Sequence, residues 1–86
     1  MTDYNKAIGF NPRYAKAYNN RGVLYEKMGI LDSAVADYSR SVSIDPLFVV
    51  SRLNRARVLA ASNKYESALE DLTSAINIEP NNPDIR

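Results

Sequence analysis

The sequence predicts an all-α fold in which short antiparallel helix pairs stack into a superhelix. Three of its four prolines stand at positions 12, 46 and 80, so they are evenly spaced along the chain. A step of about 34 residues fits two short helices joined by tight turns, and it is much longer than a coiled-coil heptad. Small and large apolar side chains recur at the same step. These observations predict that function resides on a surface made by stacked units.

Shifting the chain by this step aligns residues 15–48 with 49–82, which defines two full units within one domain spanning 1–86. By the same register, residues 1–14 are expected to form the second helix of a partial unit, and residues 83–86 to begin a further helix. Seven aligned positions are identical, namely Asn20/Asn54, Arg21/Arg55, Ser33/Ser67, Ala34/Ala68, Asp37/Asp71, Ile44/Ile78 and Pro46/Pro80.

Each unit is predicted to contain two helices. The first helix of the first unit carries a buried face of Tyr18, Gly22, Tyr25 and Met28 at helical spacing. Gly29 is expected to end this helix in the left-handed conformation, with Asn63 in the same role in the second unit. The second helix presents Ala34, Val35, Tyr38, Ser41, Val42 and Ile44 inward. Pro46 prevents its continuation.

Small residues are predicted where the helices of a pair cross. Gly22 is expected opposite Ala34, and Ala56 opposite Ala68. Missing side-chain bulk lets helix axes approach to about 8–9 Å. The larger residues around these crossings are Tyr25, Tyr38, Leu59 and Leu72.

Composition excludes several functions. The chain has neither Cys nor His, so thiol or imidazole catalysis and thiolate or imidazole metal sites are absent, and we expect no cofactor. Eleven basic and ten acidic residues nearly balance, which argues against nucleic-acid binding. The sequence offers no signal peptide and no apolar run long enough for a membrane span. We expect an intracellular, cytoplasmic protein that is not an enzyme.

These residues resemble the tetratricopeptide repeat, or TPR. The family's pattern is matched in the first unit by Tyr18, Gly22, Tyr25, Ala34, Tyr38, Ser41 and Pro46. The second unit matches more loosely, with Arg52 in place of the first aromatic residue. The resemblance covers nearly the whole chain and implies a TPR-type α-α superhelix. It implies an architecture without identifying a ligand.

In proteins that this chain resembles, the first helices line a concave groove that binds an extended peptide or a partner helix. The corresponding positions here are Lys16, Asn19, Asn20, Val23, Lys27, Val50, Leu53, Asn54 and Arg57. An asparagine amide suits this task because it pairs with both the donor and the acceptor of a peptide backbone. The alternative interpretation is that these are ordinary solvated helix positions.

Some chaperone-associated TPR proteins clamp a peptide's C-terminal carboxylate with Lys, Arg and Asn from three repeats. Asn20 and Asn54, each followed by Arg, resemble the Asn of the clamp's middle repeat. However, Val50 stands where the third repeat of the clamp has Lys, and Asn54 stands where it has Arg. These departures argue against a carboxylate clamp within residues 1–86.

The basic residues Arg52, Arg55, Arg57 and Arg86 suggest either recognition of an acidic segment or pairing within the chain. The second interpretation is favoured because Arg21 and Arg55 occupy a position that is usually apolar in the family. Asp37 and Asp71 recur at the same period, so a repeated Arg–Asp contact between helices explains both. Leu47 and Phe48 either cover the core of a neighbouring repeat or form an apolar knob for a partner.

The leading hypothesis is a non-catalytic module that binds a protein or peptide in its concave groove. The alternative is a structural scaffold segment that acts through repeat stacking or self-association. Stacked repeats bury their faces only against neighbours. The sequence is therefore compatible both with a homo-oligomer and with a segment of a longer repeat array.

Overall fold

The computed structural model describes residues 12–80, with side chains described from Tyr14 onwards. Four helices follow in order, α1 (Pro12–Lys27), α2 (Leu31–Ile44), α3 (Val49–Ala61) and α4 (Tyr65–Ile78). Helices α1 and α2 pack as one pair and α3 and α4 as a second, while α3 also contacts both helices of the first pair. Residues 12–80 contain no strand, and the predictions for residues 1–11 and 81–86 lie outside the described part of the chain.

The two predicted left-handed helix ends are confirmed. Gly29 has φ +79° and Asn63 has φ +65°. The Ile30 amide donates to the Tyr25 carbonyl at 2.9 Å, and the Gly29 amide donates to Glu26 at 3.0 Å. The same two bonds recur one repeat later, so both helices end in a Schellman motif that satisfies carbonyls left without partners by the helix.

Pro46 and Pro80 occupy equivalent turns, two residues after the ends of α2 and α4, whereas Pro12 is placed differently. Pro46 lies in the turn after α2, as expected. Pro12 is the first residue of α1, where its missing amide hydrogen costs nothing because that donor has no partner inside the helix. After α2, the Leu47 amide donates to the Asp45 carboxylate at 3.2 Å and helps to shape the turn.

The core of the first pair is built around Tyr38, which is fully buried and packs in one cluster with Ala34 and Val58. A Cβ added to Gly22 would lie 2.5 Å from Cε1 of the Tyr38 ring, so glycine is required for this close approach. The prediction for Met28 is wrong, because this side chain lies beyond the end of α1 and is 62% exposed.

In the second pair, Ala56 and Ala68 share one core cluster with Leu59, as the crossing of small residues predicts. Leu72 packs against this cluster from the side. The second pair therefore follows the same plan as the first, with smaller side chains in place of the Tyr38 ring.

The predicted Arg–Asp contact joins the two helices of each pair. Arg21 donates to both carboxylate oxygens of Asp37, at 2.7 and 2.9 Å, and Arg55 binds Asp71 in the same bidentate way. Hydrogen bonding to Asp37 raises the pKa of Arg21 above its ordinary value. Arg55 also donates to the Ser39 hydroxyl at 3.2 Å, which links the second repeat to the first.

No helix within residues 12–80 is both long enough and apolar enough to cross a membrane.

Candidate functional site

A groove of about 470 Å³ opens along the second repeat, between α3 and α4. We call it the repeat-two groove. Its lining residues are Val50, Leu53, Asn54, Ala56, Arg57, Ala60, Ala68 and Leu72. Most of them are aliphatic, and Asn54 and Arg57 supply the polar groups. Four residues that the sequence predicted for the concave face therefore come together in one depression.

Asn19 and Asn54 meet across the two repeats, because α3 lies against α1. The Asn54 amide donates to the Asn19 side-chain oxygen at 2.9 Å, and the Ser51 hydroxyl donates to the same oxygen at 3.2 Å. Asn19 is only 6% exposed. The side chain of Asn19, one of the residues predicted for the concave face, therefore holds Asn54 and Ser51 in place. Among the described residues, the Asn54 side-chain oxygen accepts no hydrogen bond.

Arg57 is held in position by the first repeat. It donates to both carboxylate oxygens of Glu26, at 2.8 and 3.0 Å, and the Tyr38 hydroxyl donates to Glu26 at 2.8 Å. The hydrogen bonds from Arg57, and then from Tyr38, lower the pKa of Glu26 against the opposing effect of burial. Arg57 remains 57% exposed at its side chain. It therefore presents a pre-oriented guanidinium at the edge of the groove.

The other predicted concave residues lie outside the repeat-two groove. Lys16, Asn20 and Lys27 are exposed on α1. Val23 is half-buried, because it packs against the core cluster around Tyr38. On the first repeat the predicted face is thus polar and exposed at Lys16, Asn20 and Lys27 but buried or half-buried at Asn19 and Val23. On the second repeat it is concave and mainly apolar.

Most of the clustered arginines pair with other groups of the same chain. Arg55 pairs with Asp71 and Arg57 with Glu26, which confirms the favoured interpretation for Arg55. Arg52 donates weakly to the Pro46 carbonyl, at 3.4 Å. Arg86 lies outside the described residues.

Leu47 and Phe48 behave differently from each other. Phe48 is half-buried, whereas Leu47 is 70% exposed at the turn between the repeats. Covering of a neighbouring core and an apolar knob for a partner both stay predictions for this pair.

Sequence reasoning missed half of the groove. The sequence predicts Ala56 and Ala68 as crossing residues and Leu72 as a core residue, and it predicts no role for Ala60, yet all four line the groove. A signal was nevertheless present in the alignment of the repeats. Ala60 stands where the first repeat has Glu26, and Leu72 stands where it has Tyr38, so the second repeat has less side-chain volume at this place.

Within the part of the chain that the structure describes, no group of three or more acidic side chains is placed to hold a metal ion.

Comparison with known proteins identifies the repeat. Residues 15–48 match one family model described as a tetratricopeptide repeat, and residues 50–82 match a second model with the same description. No curated protein matches the chain.

Solved structures also match the chain. One of them is the first TPR of Spaghetti (RPAP3) bound to the HSP90 peptide SRMEEVD. It superimposes with a TM-score of 0.85 and 24% sequence identity, over 88% of this chain and 60% of the other. At this level of identity the likeness concerns the fold. The present chain spans less than two thirds of that structure's length.

Proposed function

The chain belongs to the tetratricopeptide repeat family, and from this premise we propose that it is a non-catalytic protein-interaction module whose repeat-two groove holds a peptide or helix. The observation that carries the proposal is the composition of this groove. Its surface is formed by aliphatic side chains, and two polar residues, Asn54 and Arg57, border it. Binding sites commonly combine an apolar surface with a few well-placed polar groups.

The apolar surface accounts for affinity. Burying one leucine-sized side chain of a partner contributes about 1.5–3 kcal/mol. Val50 offers such a contact without rearrangement, because it lines the groove and is already 42% exposed. The aliphatic surface continues from there to Leu53 and Leu72.

The polar groups account for orientation. Asn54 is fixed by Asn19, and Arg57 is fixed by Glu26, so both side chains are ordered before a partner arrives. A polar group that is already ordered loses less entropy on binding. The Asn54 side-chain oxygen is suited to accept a hydrogen bond from the partner, and Arg57 is suited to donate one.

The peptide bound to the similar structure supports a peptide-sized partner for this chain. A carboxylate clamp of the chaperone-associated kind is not part of the proposal. Val50 and Asn54 stand where that clamp has cations, and both line the repeat-two groove of this chain. A direct titration with the peptide SRMEEVD is therefore expected to show binding at least tenfold weaker than that of the chain's own partner.

The proposal is tested by capturing partners with the wild-type chain and with the variants Val50→Asp and Asn54→Ala, and quantifying them by mass spectrometry. Leu69→Asp is the matched control, since Leu69 is an exposed apolar residue on α4 outside the groove. The two groove variants are expected to lose the same set of proteins, which the control retains, while all thermal midpoints stay close to wild type. Equal retention by all variants contradicts groove binding.

One observation favours the alternative role as a stacking segment. Leu24 is 58% exposed, yet its counterpart Val58 is 1% exposed because it packs against the first repeat. Leu24 therefore occupies a position that is used for stacking elsewhere in the same chain. Sedimentation at increasing concentration tests this role. Growth in mass that Leu24→Glu abolishes supports stacking, and a constant monomer mass contradicts it.

A further inference from the structure

Two arginines of the first repeat converge on one buried carboxylate. Arg21 donates to both oxygens of Asp37, at 2.7 and 2.9 Å, and Arg40 donates from Nη1 to the same carboxylate at 2.8 Å. The Asp37 side chain is 1% exposed, whereas each arginine side chain is 52% exposed. Two positive charges therefore share one negative charge, so the cluster carries a net charge of +1 and its cations reach the protein surface.

The second repeat has the same contact between its helices without a surplus charge. Within the described part of the chain, Asp71 is paired with Arg55 alone, and Ser74 stands in the position of Arg40. The Arg55 side chain is also less accessible, at 20% exposed. One arginine is thus enough to join the two helices of a pair, and this role does not account for Arg40.

Arg40 keeps an unused donor edge. Its Nε and Nη2 atoms form no hydrogen bond with any group of residues 14–80. In Arg21, Arg55 and Arg57 the corresponding edge holds both oxygens of a carboxylate. Two parallel N–H groups of a guanidinium match the two oxygens of a carboxylate. Three contacts in the same chain therefore show what this edge binds.

A tyrosine ring supports both guanidinium groups. The Cζ atoms of Arg21 and Arg40 lie 5.3 and 5.9 Å from the centroid of the Tyr18 ring. This stacking orients the guanidinium groups, so an anion that binds them removes less side-chain freedom. A cavity of about 130 Å³ adjoins the ring and is lined by Tyr14, Ala17, Tyr18 and Arg21. Its surface is mainly apolar, so it suits an apolar side chain next to the anion.

From this geometry we infer that the free edge of Arg40, together with Arg21, binds the ionised carboxylate of an acidic protein segment that has an apolar residue beside the acidic one. One carboxylate brings the cluster to zero net charge. A phosphate group carries nearly twice that charge, so it would leave the cluster negative beside the buried Asp37 carboxylate, which opposes binding. None of these residues lines the repeat-two groove, so the inference goes beyond the proposed function.

The probes for this site are three tetrapeptides with blocked ends, composed of glycine, leucine, a variable residue and glycine in that order. The variable residue is glutamate, glutamine or phosphoserine. Binding to the wild-type chain is followed by NMR of the arginine Nε–H groups at pH 7 and low salt, since salt screens exposed charges. The glutamate peptide is expected to bind at least about fivefold more tightly than the glutamine peptide. It should shift the Nε–H signal of Arg40 more than that of Arg52.

Substitutions at Arg40 test the site without removing the contact between the helices. Arg40→Ser gives the first repeat the residue that the second repeat has, and it leaves Arg21 paired with Asp37. The glutamate peptide is then expected to lose its advantage over the glutamine peptide. Lys64→Ser is the matched control and should keep that advantage, because it removes the same charge from an exposed position in the turn before α4. Arg40→Lys keeps the charge without the parallel donors, and it should bind the glutamate peptide less tightly than wild type.

Two sources can supply the carboxylate. One is a partner protein, and the other is the chain itself, whose acidic residues outside the described range are Asp3 and Asp84. A variant that combines Asp3→Asn with Asp84→Asn separates them. If the glutamate peptide binds this variant and wild type equally, the site is free for a partner. If it binds the variant more tightly, a carboxylate of the chain itself occupies the site.

The results that overturn the inference are distinct from those that overturn groove binding. Equal binding of the glutamate and glutamine peptides, or an unchanged preference in Arg40→Ser, removes the site. Tighter binding of the phosphoserine peptide overturns the assignment to a carboxylate. Equal binding by Arg40→Lys and wild type shows that charge alone attracts the peptide, which overturns recognition by the donor edge. None of these results affects the capture of partners by the repeat-two groove, and the loss of groove binding leaves this site in place.

Discussion

Replacing Gly22 with alanine perturbs the closest approach in the core of the first repeat. The added Cβ would lie 2.5 Å from Cε1 and 2.7 Å from Cδ1 of Tyr38. Comfortable carbon–carbon contacts are about 3.5–4.0 Å, so the ring must retreat by about 1 Å. Tyr38 has little freedom to do so, because it is fully buried and its hydroxyl donates to Glu26 at 2.8 Å.

The magnitude follows from two opposing effects. Inserting one methyl group into a well-packed core costs about 1–3 kcal/mol, and weakening the hydrogen bond from Tyr38 to Glu26 adds a part of its roughly 1 kcal/mol. Alanine in a helix interior recovers about 1 kcal/mol relative to glycine. We therefore expect Gly22→Ala to lower the free energy of unfolding by about 1–2 kcal/mol, although the same change on an open helix surface is stabilising.

The second repeat shows how the clash is avoided, since it has Ala56 and Leu72 at the equivalent positions. In a double-mutant cycle measured by urea unfolding, Tyr38→Leu should partly rescue Gly22→Ala, with a coupling energy of at least about 1 kcal/mol. The matched control is Ala56→Gly, which should cost about 1 kcal/mol from helix propensity and about 0.8 kcal/mol from the buried methyl group that it removes. Strict additivity of Gly22→Ala and Tyr38→Leu, or a stabilising Gly22→Ala, would refute the packing argument.

Three further predictions concern the helix ends and the ion pairs. Gly29→Ala should cost about 1–2 kcal/mol in urea unfolding from left-handed strain alone, because no atom lies near the added Cβ, and Gly29→Asn should cost clearly less. Asp71→Asn should cost about 3 kcal/mol by the same measurement, because it leaves the largely buried Arg55 uncompensated; a loss below about 1 kcal/mol would contradict this. Glu26 has a lowered pKa in the folded state, so its contribution is complete above the unfolded pKa of about 4.3 and is lost as the pH falls through the folded pKa. The difference in thermal midpoint between wild type and Glu26→Gln should accordingly be smaller at pH 3 than at pH 7. An equal difference at both pH values would argue against this prediction.

The local features of the fold were readable from the sequence because they depend on neighbouring residues or on the repeat period. Gly29 and Asn63 are the residue types that most readily end a helix in the left-handed conformation, and both adopt positive φ. The Arg21–Asp37 pair was predictable because it recurs, one repeat later, as Arg55–Asp71. Because Arg and Asp recur at the same spacing in both repeats, the alignment of the repeats supports the contact without a structure.

Exposure at the helix ends was less predictable. Met28 fits the helical spacing of the buried face, yet it is exposed because α1 ends at Lys27 and the turn carries it away from the core. Periodicity gives the direction of a side chain only while the helix continues. The Schellman hydrogen bonds set where the helix ends, and they therefore determine that Met28 is exposed.

The candidate site divides in the same way. The sequence alone predicted the repeat, the helices, and the face of α1 and α3 on which polar residues recur. Only the tertiary structure decided that Asn19 is buried beneath Asn54, that Arg57 is held by Glu26, and that the open volume lies over the second repeat. The physical reason is that these contacts join residues far apart in the sequence, across the packing of α3 on the first pair. The period states which residues are equivalent, but the stacking of helices determines which of them meet across the two repeats.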